Sequence, residues 1–158
     1  MEGNLARRLR RRLLAIGGSD VVVSPDTYLP DVVDHGRMFA DAGMRIVRGL
    51  PNQCHYNAAR LWLAGRCSNI ATGYYLCLDG RWWQHSWGMT RAGVILDTHS
   101  GGSLYFGSIL DDLRGLAFAE SACDPRDIGA WIGSHRKRYR ALLVDALLEL
   151  AGSDPPQS

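Results

Sequence analysis

The hydrophobic positions of this chain follow helical spacing near both ends and strand-like alternation in the middle. Apolar residues recurring every three or four positions predict helices over residues 5–16, 53–64, 111–121 and 127–150. Aromatic and β-branched runs predict strands over residues 70–78, 81–90, 94–99 and 104–110, with a short strand at 21–23. The rest of 19–35 fits a loop, 36–48 fits a helix or a strand, and 101–103 fits a turn. The pattern predicts an α+β fold in which an antiparallel sheet is flanked by N- and C-terminal helices.

One turn sets the predicted pairing of the first two strands of this sheet. Asp79-Gly80 is typical of a two-residue hairpin, which places Tyr74 opposite His85. Side chains alternate along a strand, so Tyr74, His85 and Trp87 are expected on one face.

The following turn decides whether Asp97 reaches His85. A two-residue loop at Arg91-Ala92 would point the two side chains to opposite faces of the sheet. A three-residue loop ending at Gly93 pairs Trp87 with Asp97 and puts Asp97 on the His85 face. Glycine is the residue that the left-handed third position of such a loop prefers. The sequence therefore predicts His85 and Asp97 as diagonal neighbours within side-chain reach.

The composition is that of one globular domain. The chain has 158 residues, of which 46% are hydrophobic, and we assign residues 1–152 to a single domain and 153–158 to a polar tail. No apolar run approaches the ~20 residues of a membrane span, and the apolar stretch near the basic N-terminus is too short for a signal peptide. The four cysteines lack zinc-site spacing. We expect a cytoplasmic protein with no membrane partner, no metal and no cofactor.

The net charge of +2 is too small to favour a nucleic-acid partner. Most of the excess lies on the first predicted helix, at Arg7, Arg8, Arg10, Arg11 and Arg12. Such a run is usually a solvated helix face. As an alternative, it could dock a partner protein or contact phosphates.

Three residues of the central region carry the candidate chemistry. Cys54 lies at the start of a predicted helix, His85 on a predicted strand and Asp97 on the next strand. A thiol near the positive end of a helix and beside an imidazole becomes a better nucleophile, because its pKa falls. A carboxylate that orients the imidazole completes a catalytic triad for acyl transfer. We therefore predict Cys54 as nucleophile, His85 as base and Asp97 as the orienting acid.

Weaker candidates surround this triad. Asn52 is a candidate N-cap, and its side chain or that of Gln53 could help backbone N–H groups to bind an oxyanion. Asn57, one turn after Cys54, fits either a cap or a site residue. The remaining candidates for substrate binding are Tyr74 and Trp87.

Two further histidines, His55 and His99, lie close to the triad in the sequence. His55 is expected to point away from Cys54, on the surface or in a local hydrogen bond, and His99 is the substitute base if His85 fails. A metal site built from Cys54 and His85 with His99 or Asp97 is a third and weaker alternative.

The motifs at residues 53–61, 71–75, 84–87 and 95–98 resemble the core of the transglutaminase-like branch of papain-like cysteine enzymes. Residues 105–107, Tyr-Phe-Gly, are also similar to a small bacterial and phage group with this triad. The resemblance implies a cysteine-bearing helix packed on an antiparallel sheet. It also assigns Cys54, His85 and Asp97 as nucleophile, base and acid.

The expected function is cysteine-dependent acyl transfer through a thioester. The substrate would be a peptide, an amide or an acyl-carrier-type thioester, and the acyl group would pass to water or to an amine. The alternative is a non-catalytic binding module on the same scaffold that docks a partner through its Arg-rich N-terminal helix.

Overall fold

A seven-stranded mixed sheet forms the centre of the protein. The structure is a computed structural model that describes residues 3–40, 42–99 and 102–152. The described residues form strands β1 (Asp20–Val22), β2 (Arg37–Met38), β3 (Met44–Ile46), β4 (Asn69–Cys77), β5 (Arg81–Met89), β6 (Ile95–Asp97) and β7 (Gly102–Ile109). They also form six helices: α1 (Asn4–Ile16), α2 (Leu29–His35), α3 (Cys54–Leu63), α4 (Asp112–Ala122), α5 (Pro125–Ser134) and α6 (Arg136–Gly152). The predicted α+β class is confirmed, and the predicted polar tail at 153–158 lies outside the described residues.

The prediction of a purely antiparallel sheet is wrong. The strand order is β2-β7-β4-β5-β6-β3, with β1 added beside β5. The central pairs of β4 with β5 and β7 are antiparallel, as predicted, but β1 pairs with β5 and β3 with β6 in parallel. Both parallel partners come from residues 19–48, where the hydrophobic pattern was weak. The segment predicted as a loop also contains α2, which begins next to Pro30.

The turn between β4 and β5 differs from the prediction by one residue. Tyr74 lies opposite Gln84 rather than His85. The loop has three residues, because Gly80 has a φ of 80° and its N–H donates to the Cys77 carbonyl at 3.0 Å. A two-residue turn would require a positive φ at Asp79 as well, and Asp79 does not adopt one. The shift moves Tyr74 to the opposite face and brings Tyr75 to the His85 face.

The predicted three-residue loop between β5 and β6 is confirmed. Gly93 has a φ of 78°, and its N–H donates to the Thr90 carbonyl at 2.9 Å. Gly88 pairs with Leu96 and Met89 with Ile95. This register brings Asp97 to the His85 face of the sheet.

The predicted helix over 127–150 is two helices. His135 ends α5, and its N–H donates to the carbonyls of Trp131 and Ile132. Its ring nitrogen Nδ1 also lies 3.0 Å from the Trp131 carbonyl oxygen. The low helix propensity of Gly133 and Ser134 favours a break at this point.

The predicted turn at 101–103 is not a turn where the structure describes it. Gly102 and Ser103 belong to β7, and residue 101 lies outside the described residues.

Several arginines of α1 hold this helix against the sheet and α2. Arg10 pairs with Asp20 of β1 at 2.6 Å. Arg12 donates to the carbonyls of Val33 and Gly36, both at 2.8 Å, at the end of α2. The basic run of the first helix is therefore partly used in internal contacts and is not simply a solvated face.

The helices cover the sheet with three buried clusters. The largest joins α3, α4, α5 and α6 around Trp62, Phe118 and Trp131. A second joins α1 and α2 to the sheet, and a third contains Phe39 and Trp87. Within the described ranges, no helix is both long and apolar enough to cross a membrane.

Candidate active site

Two short strands leave a gap along one edge of β5, and the candidate site lies there. On that edge β1 pairs with Arg81–Trp83 and β6 pairs with Gly88 and Met89. Between them, His85 has no strand partner on this side among the described residues. Helix α3 packs against β5 and brings its first residue, Cys54, to this gap.

A tight turn positions Cys54 at the start of α3. Gly49 comes so close to Asn57 and Thr98 that a Cβ atom at position 49 would lie 2.8 Å and 2.6 Å from their side chains. Asn52 has a φ of 57°, a left-handed conformation that asparagine tolerates better than most residues. The predicted N-cap role of Asn52 is wrong, because the helix begins at Cys54 and Gln53 precedes it without a side-chain cap.

Asn57 fastens this turn to both α3 and the end of β6. Its side-chain oxygen accepts from the Leu50 N–H at 2.9 Å, and its amide donates to the Leu50 carbonyl at 2.7 Å. The amide also donates to the Thr98 hydroxyl at 3.1 Å. Asn57 is buried, and these contacts make it a residue that positions the turn before Cys54.

His85 and Asp97 form a buried pair, as their register requires. The His85 Nε2 atom lies 2.8 Å and 2.9 Å from the two carboxylate oxygens of Asp97. Asp97 is 1% exposed and also accepts from the Tyr105 hydroxyl at 2.6 Å and the His99 N–H at 3.0 Å. Burial by itself raises the pKa of Asp97, but these hydrogen bonds outweigh it and hold the pKa below its ordinary value. The carboxylate therefore stays ionised and fixes the ring through Nε2, so Nδ1 is the ring nitrogen that Asp97 does not bind.

The surroundings of Cys54 favour its thiolate. Burial raises the pKa of the thiol, but hydrogen bonding to His55 and His85 and the charges of both rings lower it to about 5. Burial lowers the pKa of His85, but Asp97 and Cys54 raise it to about 9. These opposite shifts favour a thiolate at Cys54 and a protonated ring at His85.

His55 contacts Cys54, and the expectation that it points away is wrong. Its Nδ1 lies 3.3 Å from the Cys54 Sγ atom, and its ring packs against Phe118 with centroids 5.4 Å apart. The hydrogen bond to Cys54 raises the pKa of His55 despite burial, and the charges of Cys54 and Asp26 act in the same direction. Cys54 is thus flanked by two imidazoles. Helical spacing alone could not reveal this local hydrogen bond.

Substitution His55→Gln is expected to raise the pKa of Cys54 by roughly one unit, because one of two nearby positive charges is lost. The pH dependence of Cys54 alkylation by iodoacetamide, followed by peptide mass spectrometry, measures this shift. His35→Gln removes an exposed histidine outside the cleft and should leave the midpoint unchanged. An unchanged midpoint in His55→Gln would show that His55 does not stabilise the thiolate.

The triad opens into a cleft of about 550 Å³. The turn before α3 forms one side with Asn52, Gln53 and Cys54, and the sheet forms the other with Tyr75 and Trp83. The Tyr75 ring lies 4.5 Å from the His85 ring and 5.4 Å from that of the exposed His99. The cleft is therefore rimmed by aromatic rings next to a half-buried thiol.

Two predicted substrate-binding residues belong to the core and not to this cleft. Tyr74 and Trp87 are each 1% exposed. Tyr74 packs with Trp82 in the cluster beneath α1 and α2, and Trp87 contacts Phe39 and Tyr105 edge-on. Tyr75 and Trp83 line the cleft instead. With the correct pairing of β4 and β5, the sequence would have placed Tyr75 on the face of the sheet that carries His85.

Backbone N–H groups are available at the first turn of α3. The first helical bond runs from the Asn57 N–H to the Gln53 carbonyl at 2.9 Å. The N–H groups of Cys54 and its next two neighbours precede it, so they have no carbonyl four residues back within the helix. They could receive an oxyanion, with the exposed side chains of Asn52 and Gln53 nearby.

The other cysteines differ from Cys54. All four are free. Burial raises the pKa of Cys67 to about 11 and also raises that of Cys123, whereas Cys77 is half-buried rather than buried as predicted. In the part of the chain that the structure describes, no three His, Cys, Asp or Glu side chains form a group suited to a metal ion.

No protein-family model, curated protein or solved structure matches this chain. The likeness to transglutaminase-like enzymes therefore rests on the residue motifs alone.

Proposed function

We propose that this protein is a cysteine-dependent acyl-transfer enzyme of the transglutaminase-like kind, with Cys54 as nucleophile. The observation that carries the proposal is geometric: the half-buried Cys54 thiol and the buried His85–Asp97 pair meet at one open cleft, and the surroundings lower the pKa of the thiol. A cysteine that only packs in the core does not require groups that lower its pKa, and burial raises the pKa of the core residue Cys67.

Acylation would start from the thiolate–imidazolium pair. The Cys54 sulfur attacks the carbonyl carbon, a C–S bond forms and the carbonyl electrons move to oxygen. N–H groups at the start of α3 stabilise this oxyanion. As the oxyanion collapses, the bond to the leaving group breaks, and the leaving group takes the proton from His85 Nδ1. The products are a thioester at Cys54 and a neutral imidazole.

Deacylation would reverse the roles. His85 removes a proton from water or from an amine that attacks the thioester, and Cys54 leaves as the thiolate. Asp97 keeps the ring in one orientation in both halves. The aromatic rim of Tyr75 and Trp83 fits a peptide, amide or acyl-carrier-type substrate, and the four free cysteines suit a cytoplasmic setting.

The alternative of a binding module on the Arg-rich helix has less support. Arg10 and Arg12 are engaged in contacts within the protein. No comparable observation favours α1 as a docking surface.

The proposal can be tested by treating the purified protein with p-nitrophenyl esters of increasing acyl length and recording intact mass. We expect one acyl group per chain, mapped to Cys54 by digestion and released by neutral hydroxylamine, as a thioester should be. Cys77→Ala should acylate like the parent protein, since Cys77 is the other half-buried thiol. Labelling at Cys77 or at lysine alone would contradict the proposal.

A further inference from the structure

A second and larger concavity lies at the other end of α3. Its volume is about 920 Å³, within the usual range of small-ligand sites. Four arginines line it: Arg37, Arg66, Arg91 and Arg138. Because α3 has ten residues, about 15 Å of helix separates this arginine cavity from Cys54.

Few negatively charged side chains lie near the arginines of this cavity. Arg138 pairs with Asp112 at 2.8 Å, and Asp112 is the one carboxylate among the lining residues. Arg37 lies over the Phe39 ring at 5.3 Å. The described residues form no ion pair with Arg37, Arg66 or Arg91, whereas arginines such as Arg60 and Arg114 each pair with an aspartate. The cavity therefore holds about three uncompensated positive charges.

The cavity also offers neutral polar groups and an apolar floor. The Thr90 hydroxyl accepts from the Val94 N–H, so its own proton is free to be donated. Met89 and Ile109 supply apolar surface. Guanidinium groups bind phosphate oxygens through paired hydrogen bonds, and three of them in one concavity match an anion with several phosphate charges.

We infer that the arginine cavity binds a small oligophosphate anion. The positive charges converge on one concavity of small-molecule size, which suits a compact polyanion better than an extended strand. This inference does not rest on the chemistry of Cys54. Loss of one site would leave the other intact.

Isothermal titration calorimetry of the full chain with inorganic tripolyphosphate tests this inference. We expect saturable binding that weakens at higher salt. The double substitution Arg66→Gln/Arg91→Gln should lower the affinity roughly tenfold or more, since hydrogen bonds to charged groups are lost. Both side chains are exposed, so thermal unfolding should confirm an intact fold.

A charge-matched control is Arg126→Gln/Arg140→Gln, two exposed arginines outside the cavity. It should change the affinity by less than about twofold, because neither side chain lines the cavity and salt weakens the effect of exposed charges that do not contact the anion. Absence of tripolyphosphate binding would overturn the inference, as would equal losses in the two double variants. Binding of a single-stranded oligonucleotide without tripolyphosphate binding would also overturn it and point to a nucleic-acid surface.

Discussion

Replacing Cys54 with alanine is expected to abolish the acyl adduct and to lower turnover of any substrate by roughly 10⁵-fold or more. Without the sulfur no thioester forms, and the His85–Asp97 pair has no nucleophile to serve. Cys54 is the first residue of α3 and is half-buried, so its removal should change the free energy of unfolding by less than about 1 kcal/mol. Intact mass after exposure to the acyl esters, together with urea unfolding, measures both effects.

Cys77→Ala is the matched control for this experiment, because it removes a half-buried thiol without touching the triad. It should keep the adduct and the turnover of the parent protein. An adduct of undiminished yield in Cys54→Ala, at whatever residue it forms, would contradict the assignment of the nucleophile.

Replacing Asp97 with asparagine should be nearly as damaging to activity. Asp97 accepts hydrogen bonds from His85, Tyr105 and the His99 N–H. An asparagine would replace one of the two accepting carboxylate oxygens with an NH₂ group, which can only donate. The ring of His85 would then lose its orientation and the support for its positive charge, so turnover should fall roughly 10³–10⁴-fold. The mismatched buried hydrogen bonds should cost about 2–3 kcal/mol of stability. Steady-state kinetics and urea unfolding test the two parts separately.

Tyr105→Phe provides a graded comparison at the same carboxylate. It removes one donor to Asp97 but leaves the His85–Asp97 contact intact. We expect a loss of stability of about 1–2 kcal/mol with less than a tenfold fall in turnover. Equal losses of turnover in Tyr105→Phe and Asp97→Asn would argue that Asp97 acts only in folding.

The sequence placed Asp97 beside His85 correctly because the register of β5 and β6 depends on a local rule. Gly93 identifies the three-residue loop, and that loop brings Asp97 to the His85 face. The same kind of rule misplaced the preceding hairpin, since Asp79-Gly80 fits two turn types that differ by one residue. One residue of shift was enough to exchange Tyr74 for Tyr75 at the cleft.

Features that depend on contacts between distant parts of the chain could not be predicted from such local rules. The parallel additions of β1 and β3 join segments far apart in the chain, and short strands leave weak patterns. The contact between His55 and Cys54 depends on how the ring packs against Phe118, a residue of α4. The hydroxyl of Tyr105 reaches Asp97 across the sheet, and no spacing rule connects these two positions.

The proposed function requires Cys54 to be a thiolate beside a protonated histidine at neutral pH. The most direct measurement is the rate of Cys54 alkylation by iodoacetamide between pH 4 and pH 10, followed by peptide mass spectrometry on the parent protein. We predict a rate that rises with a midpoint near pH 5 and is already close to its plateau at neutral pH. A midpoint near that of an ordinary thiol, about 8.5, would contradict the account.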